Sequence, residues 1–297
     1  MSIKSQARKF ILGIARQSTR ISPKLNTYII YYLHFKRMWK PNNPITLNDK
    51  ILWLKYHTYY NDPRIKRCAD KFEVRGYIEE QGMSELLNAL IAVYDDPDKV
   101  DFDSLPNQFA MKLNIGCRCN IICHDKRLLD RKSAVSKFKT WMKEEYYLSY
   151  AEMQYKDVKP LILIEKYLGN EDGALPEDYK FYCLNGKSKY VMICVDREIG
   201  QSAKFFYFDR EWNMLPFTRD ALEHPNIVIP KPDNIDLAFD YAEKLAKDFP
   251  FVRVDLYIVG GKVLFGELTF TPSAGLDAGR LKETDLLLGK ELILPKE

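Results

Sequence analysis

The sequence predicts an α+β fold in which antiparallel sheets dominate. Three observations support this. Residues 179–184 and 189–195 are strand-like and flank Asn185-Gly186, a pair suited to the left-handed backbone of a two-residue hairpin turn. Residues 252–259 and 263–270 form a second such pair across Gly260-Gly261. Between the hairpins, residues 235–248 read as an amphipathic helix, with Leu237, Ala238, Tyr241, Ala242, Leu245 and Ala246 on one face. Strands joined by tight turns pair antiparallel, whereas parallel strands need long crossovers.

The remaining elements follow in chain order. Phe10, Ile11, Ile14 and Ala15 fall at helical spacing among Arg and Lys, and Ile29, Ile30, Leu33 and Phe35 continue the pattern. Residues 41–44, bounded by prolines, interrupt it. Thr46 reads as the N-cap of a helix through Ile51, Leu52 and Trp53. A second helix is expected over 70–80, stopping at Gln81-Gly82. Strands are expected at 90–93, 109–113 and 120–123. A helix follows over 131–145, with Val135, Phe138, Trp141 and Met142 on one face, and then a fully apolar strand at 161–164. These shifts divide the chain into a basic helical extension (1–45), an N-terminal lobe (46–100), a central lobe (101–168) and a C-terminal lobe (169–297).

Composition excludes several classes. With 297 residues, 46% of them hydrophobic, the chain can bury a large core, and 29% charge does not mark disorder. A net charge of +4 is small for this length and points away from nucleic acid. The charge is uneven: no Asp or Glu precedes Asp49, while Lys4, Arg8, Lys9, Arg16, Arg20, Lys24, Lys36, Arg37 and Lys40 are basic. The longest apolar run near the N-terminus, 28–33, is cut short by His34, Lys36 and Arg37, and no secretory signal core is present. A cytoplasmic protein is expected, and its six cysteines read as reduced thiols.

The final hairpin holds the most chemistry. Side chains alternate along a strand, which puts Arg253, Asp255 and Tyr257 on one face and Phe265, Glu267 and Thr269 on one face of the return strand. Asp255 and Glu267 are then within cross-strand reach. Two such carboxylates repel unless a cation lies between them, and a small set of hard oxygen ligands suits Mg²⁺ with bound phosphates. Read alone, these residues also fit a solvated charge ladder.

Here the residues meet a family. Residues 251–256 followed by Gly266-Glu267-Leu268-Thr269-Phe270-Thr271-Pro272 resemble the C-terminal signature of ATP-grasp enzymes, and more closely their TupA-like branch, found among cell-surface polysaccharide genes. Matching blocks run in family order from about residue 45 to about 275: Leu47-Asn48-Asp49-Lys50-Ile51, residues 69–78, residues 109–114, Ile164-Glu165-Lys166-Tyr167-Leu168, and residues 176–181.

The resemblance implies two α+β lobes gripping ATP and Mg²⁺. Lys112 reaches the phosphates, Glu165, Lys166, Tyr167 and Leu168 form the hinge at adenine, and Asp178 takes the ribose with Lys180 nearby. Asp255, Glu267 and Thr269 hold the metal, and Arg253 stabilises phosphate charge. It also implies an acyl-phosphate ligase joining a carboxylate to an amine, with a small-molecule or lipid-linked glycan as the carboxylate partner. Taken singly, Lys112 also fits a solvated strand lysine, and Glu165 with Lys166 an exposed pair.

Two departures stand out. The loop covering the phosphates, 114–120, has one glycine, Gly116, with Arg118 offering compensating charge, and the third metal position is Thr269 rather than an amide. A glycosyltransferase remains an alternative through Asp96-Pro97-Asp98 and Asp101-Phe102-Asp103, and a weakly active nucleotide-binding scaffold through the poor loop. Cys117, Cys119, Cys123 and His124 lack structural-zinc spacing, and the three cysteines would share one face of a strand. The four histidines show no nucleophile partner pattern. The basic N-terminus suits peripheral contact with the inner face of the membrane.

Overall fold

A computed structural model describes residues 3–169, 176–195 and 203–296. It opens with five helices: α1 (Ile3–Ser18), α2 (Pro23–Phe35), α3 (Leu47–Tyr56), α4 (Pro63–Ala69) and α5 (Val74–Glu80). Strands β1 (Leu90–Tyr94), β2 (Phe109–Leu113) and β3 (Asn120–Cys123) follow, then α6 (Arg131–Trp141), α7 (Tyr146–Tyr150) and β4 (Ile162–Lys166). The second half comprises β5 (Asp178–Leu184), β6 (Lys187–Val195), β7 (Lys204–Phe208), β8 (Met214–Leu215), α8 (Arg219–Glu223), α9 (Ile235–Ala246), β9 (Phe251–Val259), β10 (Lys262–Thr269) and α10 (Lys282–Glu291).

Every pairing among these strands is antiparallel, as the hairpin signals predict. A four-stranded sheet has the order β1-β4-β2-β3, and a six-stranded sheet the order β10-β9-β5-β6-β7-β8. The turns at Asn185-Gly186 and Gly260-Gly261 have positive φ at all four residues, as a two-residue hairpin turn requires. Each sheet has its own core. Phe109, Met111, Ile162, Ile164 and Phe138 fill one, while Phe181, Phe239, Val254, Leu256 and Phe251 lie in the other.

Several boundaries differ from expectation for local reasons. The helix expected from residue 70 starts at Val74, because the Asp70 carboxylate accepts the N–H groups of Phe72 and Glu73 and turns the chain first. The helix expected to reach 145 stops at Trp141, and α7 follows as a separate short helix. In α1, Ala15 packs inward, but Phe10 and Ile14 face outward. In α9, Leu237 is exposed and Phe239 takes the core position.

Thr46 caps α3 as expected, with its Oγ1 accepting from the Asp49 N–H at 3.1 Å and the Asp49 carboxylate accepting from the Thr46 N–H. Helix α10 crosses this N-terminus so closely that a Cβ on Gly289 would lie 2.3 Å from the Ile45 carbonyl oxygen. Beside them buried Asn48, Arg280 and Asp285 form one network with half-buried Asp277. Gly289→Ala is expected to cost about 1–3 kcal/mol through backbone overpacking, read from urea denaturation midpoints.

Candidate active site

The register of β9 and β10 places Asp255 directly opposite Glu267, but only through a bulge between Phe265 and Glu267. Gly266 is the extra residue. A Cβ there would stand 2.8 Å from the Asp255 carbonyl oxygen and 3.1 Å from the Tyr257 ring. The bulge corrects one expectation: Phe265 pairs with Leu256 and joins the core, so it does not share the face of Glu267.

One cation, Arg253, lies between the two carboxylates. Arg253 Nε and Nη2 donate to Asp255 Oδ1 and Oδ2 at 2.7 and 2.6 Å. Arg253 Nη2 also reaches Glu267 Oε1 at 3.3 Å and Thr269 Oγ1 at 3.2 Å, and Thr269 donates to Glu267 Oε1 at 3.1 Å. Lys180, in register with Asp255 on β5, donates to Asp255 Oδ2 at 2.9 Å and also to Asp178. Asp255 is only 2% exposed, and burial pushes its carboxyl pKa up; the Arg253 and Lys180 charges outweigh that and hold it below its ordinary value.

The opposing sheet supplies a second charge cluster. Lys112 on β2 donates to Glu165 on β4 at 2.7 Å, and Arg75 from α5 stands 3.8 Å from the same carboxylate. Glu165 is buried, so it is not one of an exposed pair. In the expected hinge run, the Lys166 N–H and C=O are bonded to the Ala89 carbonyl and the Asn88 amide. The loop after β2 is tight: Leu113 N–H bonds the Cys119 carbonyl, and both Gly116 and Arg118 have positive φ.

One cavity of about 430 Å³ lies between the sheets. Lys112, Gly116, Arg118 and the hinge run from Glu165 to Leu168 line it from one side, and Asp178, Asp255 and Glu267 from the other. Arg253, Lys180 and Thr269 are not on its wall; they stand behind the carboxylates that are. Lys71 and Arg75 also line it and were not among the expected site residues. Their signal lay in the block 69–78, where a lysine and an arginine four apart share one side of a turn-helix unit.

Residues 49–293 match the TupA-like ATPgrasp family. The chain belongs to that family. Membership makes the two-sheet architecture an ATP-grasp fold, as the ordered residue blocks imply. No curated protein sequence matches this TupA-like chain. Among solved structures, D-alanine–D-alanine ligase from Bacillus anthracis is similar at 15% identity and a TM-score of 0.44, over 75% of this chain and 66% of that one. ATP-grasp ligase PsnB complexed with a minimal precursor matches at 14% identity and a TM-score of 0.41, over 78% and 63%. Phosphoribosylamine–glycine ligase from Thermotoga maritima matches at 13% identity and a TM-score of 0.40, over 69% and 48%. The TupA-like chain therefore spans less than two thirds of each of these chains.

The other candidate motifs of this TupA-like chain have structural roles. Asp96 and Asp101 cap the turns that follow them, accepting from the N–H groups of Asp98 and Asp103, while Asp98 and Asp103 pair with Lys139 and Arg131. The cysteines do not share a strand face: Cys117 is exposed in the loop, Cys119 is buried at its end and Cys123 closes β3. Among the described residues, no group of three His, Cys, Asp or Glu is placed to hold a metal, and no helix is long and apolar enough to cross a membrane.

The depressed Asp255 pKa fixes the sign of an acid effect. Its stabilisation is complete above the unfolded value near 3.8 and is lost as pH falls through the lower folded value. Asp255→Asn is expected to cost about 3–5 kcal/mol, because Arg253 and Lys180 keep their charge without a partner. Its stability profile should also be flatter than the wild type's below about pH 4; parallel profiles in chemical denaturation would count against the assignment.

Proposed function

We propose that the chain is an ATP-dependent ligase that activates a carboxylate as an acyl phosphate and joins it to an amine. The supporting observation is the opposition, across one cavity, of the Lys112, Lys71 and Arg75 cations and the Asp255–Glu267 carboxylate pair. Polyphosphate needs both: donors for its oxygens, and hard anions to hold the cation that travels with it.

The donor set fits Mg²⁺. Asp255 and Glu267 offer carboxylate oxygens to the cavity, and Thr269 Oγ1 is bonded beside them. Magnesium held there would neutralise the phosphate oxygens and make the γ-phosphorus more electrophilic. The rest is the work of the chain's own groups. Lys112 and Lys71 receive the phosphates, Tyr167 and Leu168 flank adenine, and Asp178 meets the ribose. Arg253 and Lys180 act as positioning residues, fixing the orientation of Asp255. The substrate carboxylate attacks the γ-phosphorus in line and ADP leaves. The amine then attacks the acyl carbon and inorganic phosphate leaves. Catalysis is positioning and electrostatics.

For the substrate, the family resemblance supports a uronic-acid carboxylate or an amino-acid group on a cell-surface polysaccharide or its precursor. The reading extends to the N-terminal segment, whose sequence carries nine cations before its first acid and which exposes Phe10, Ile14 and Ile21, although Arg16, Arg20 and Arg37 are paired with Glu144, Glu145 and Asp49. Such a surface suits peripheral contact with anionic lipid, at about 1 kcal/mol per charge near the membrane.

Mg-ATP at a hundredfold excess over its Kd should stabilise the protein by about 2.7 kcal/mol, and Lys112→Ala or Glu267→Gln should remove most of that gain. A larger gain from a nucleotide sugar overturns the ligase reading, and ATP binding without ADP release across uronate and amino-acid pairs leaves a scaffold. For the membrane contact, Phe10→Ser with Ile21→Ser should abolish co-sedimentation with phosphatidylserine vesicles. Unchanged sedimentation removes that part of the proposal.

A further inference from the structure

The loop that follows Lys112 poses a physical problem. A loop that cradles phosphate with backbone N–H groups must hold a fixed shape against the anion's repulsion from carbonyls, and glycines usually permit that shape. Here residues 114–119 contain one glycine, so the shape must be held from outside.

Tyr146, the first residue of α7, supplies that hold. Its ring lies against the Gly116 Cα: a Cβ on Gly116 would stand 2.9 Å from two ring carbons and 3.1 Å from a third. Its hydroxyl is 2.9 Å from Cys119 Sγ at the far end of the loop. One side chain thus touches both the apex and the exit of the loop. Lys71 holds the opposite side, donating to the Gly116 carbonyl at 2.9 Å. The entry is tied by Asn114, which is fully buried and bonded to Asp70, Lys159 and Leu161.

Tyr146 is itself held in place. The last carbonyls of α7 are bonded by side chains from the N-terminal helices and α3: Thr19 to Leu148 at 2.7 Å, Asn26 to Leu148 and Ser149 at 3.2 Å, and Lys55 to Tyr150 at 2.6 Å. The path from the N-terminal extension to the phosphate loop is continuous.

We propose that Tyr146 is a positioning residue that pre-forms the phosphate-covering loop by packing on Gly116 and bonding Cys119, replacing the glycines the loop lacks. The inference rests on the nucleotide reading above. It concerns the phosphates alone, because Tyr146 touches the loop and not the hinge.

The test compares a ligand with phosphates to one without. Tyr146→Ala is expected to raise the Kd for Mg-ADP about tenfold while the Kd for adenosine stays within about twofold. Tyr146→Phe, which keeps the ring on Gly116 and gives up the bond to Cys119, should fall between the alanine variant and the wild type. Gly116→Ala should weaken Mg-ADP strongly in the wild type and much less in the Tyr146→Ala background, the non-additivity expected of a direct contact. Equal loss of Mg-ADP and adenosine overturns the inference, as does no loss of either. If the alanine variant does not fold, Tyr146→Leu takes its place with the same two ligands and the same expected divergence. A wild-type chain that binds adenosine and Mg-ADP, with no divergence in the variants, sinks this inference alone; one that binds neither sinks the proposed function with it.

Discussion

The ion pair between Arg253 and Asp255 sets the terms for the rest of the molecule. A buried carboxylate costs several kcal/mol unless its oxygens are matched by charge and hydrogen bonds. Asp255 gets that match from Lys180 on β5 and Arg253 on its own strand, and the same guanidinium also serves the Glu267–Thr269 pair of β10. The strand order β10-β9-β5 is therefore an electrostatic requirement as well as a packing one. On the other face of the same strands Val254, Leu256 and Phe181 exclude water. The acid edge of the cavity is rigid because both faces of the sheet are committed.

The opposing lobe answers with the inverse arrangement. There the cations Lys112 and Arg75 meet the cavity and the buried carboxylate Glu165 restrains both. Lys71 is likewise held by a carbonyl oxygen of the loop. Lys112, Arg75 and Lys71 each already have a neutral or anionic acceptor, so a polyphosphate bound there would exchange partners instead of ordering free side chains. That is the low-reorganisation condition under which fixed charges are most effective.

Between the two lobes, α7 and the segment after it join regions far apart in sequence. Glu152 accepts from Thr271, just beyond the β10 carboxylates, and Lys55 caps the end of α7. Burial pulls the Lys55 ammonium pKa down to about 8, a shift that the Glu152 charge opposes. The basic N-terminal helices are therefore packed into the frame of the site and are not a detached tail.

Much of this was legible in the chain alone, and the division has a physical cause. Hairpins at Asn185-Gly186 and Gly260-Gly261, the Thr46 cap and the cross-strand reach between Asp255 and Glu267 follow from local rules: backbone conformation at glycine, capping chemistry and strand alternation. The ordered blocks from residue 45 to 275 carried the family. What alternation could not foresee was the bulge at Gly266, since one inserted residue reverses the face of everything before it. The roles of Lys71, Arg75 and Tyr146 were hidden for another reason, although the block 69–78 contained the first two. Each acts by meeting a partner 30 or more positions away, Gly116 for Lys71 and for Tyr146, Glu165 for Arg75. A sequence records the residue types that make such contacts possible, but only the packed lobes decide which of them meet, because that depends on distances set by every element between.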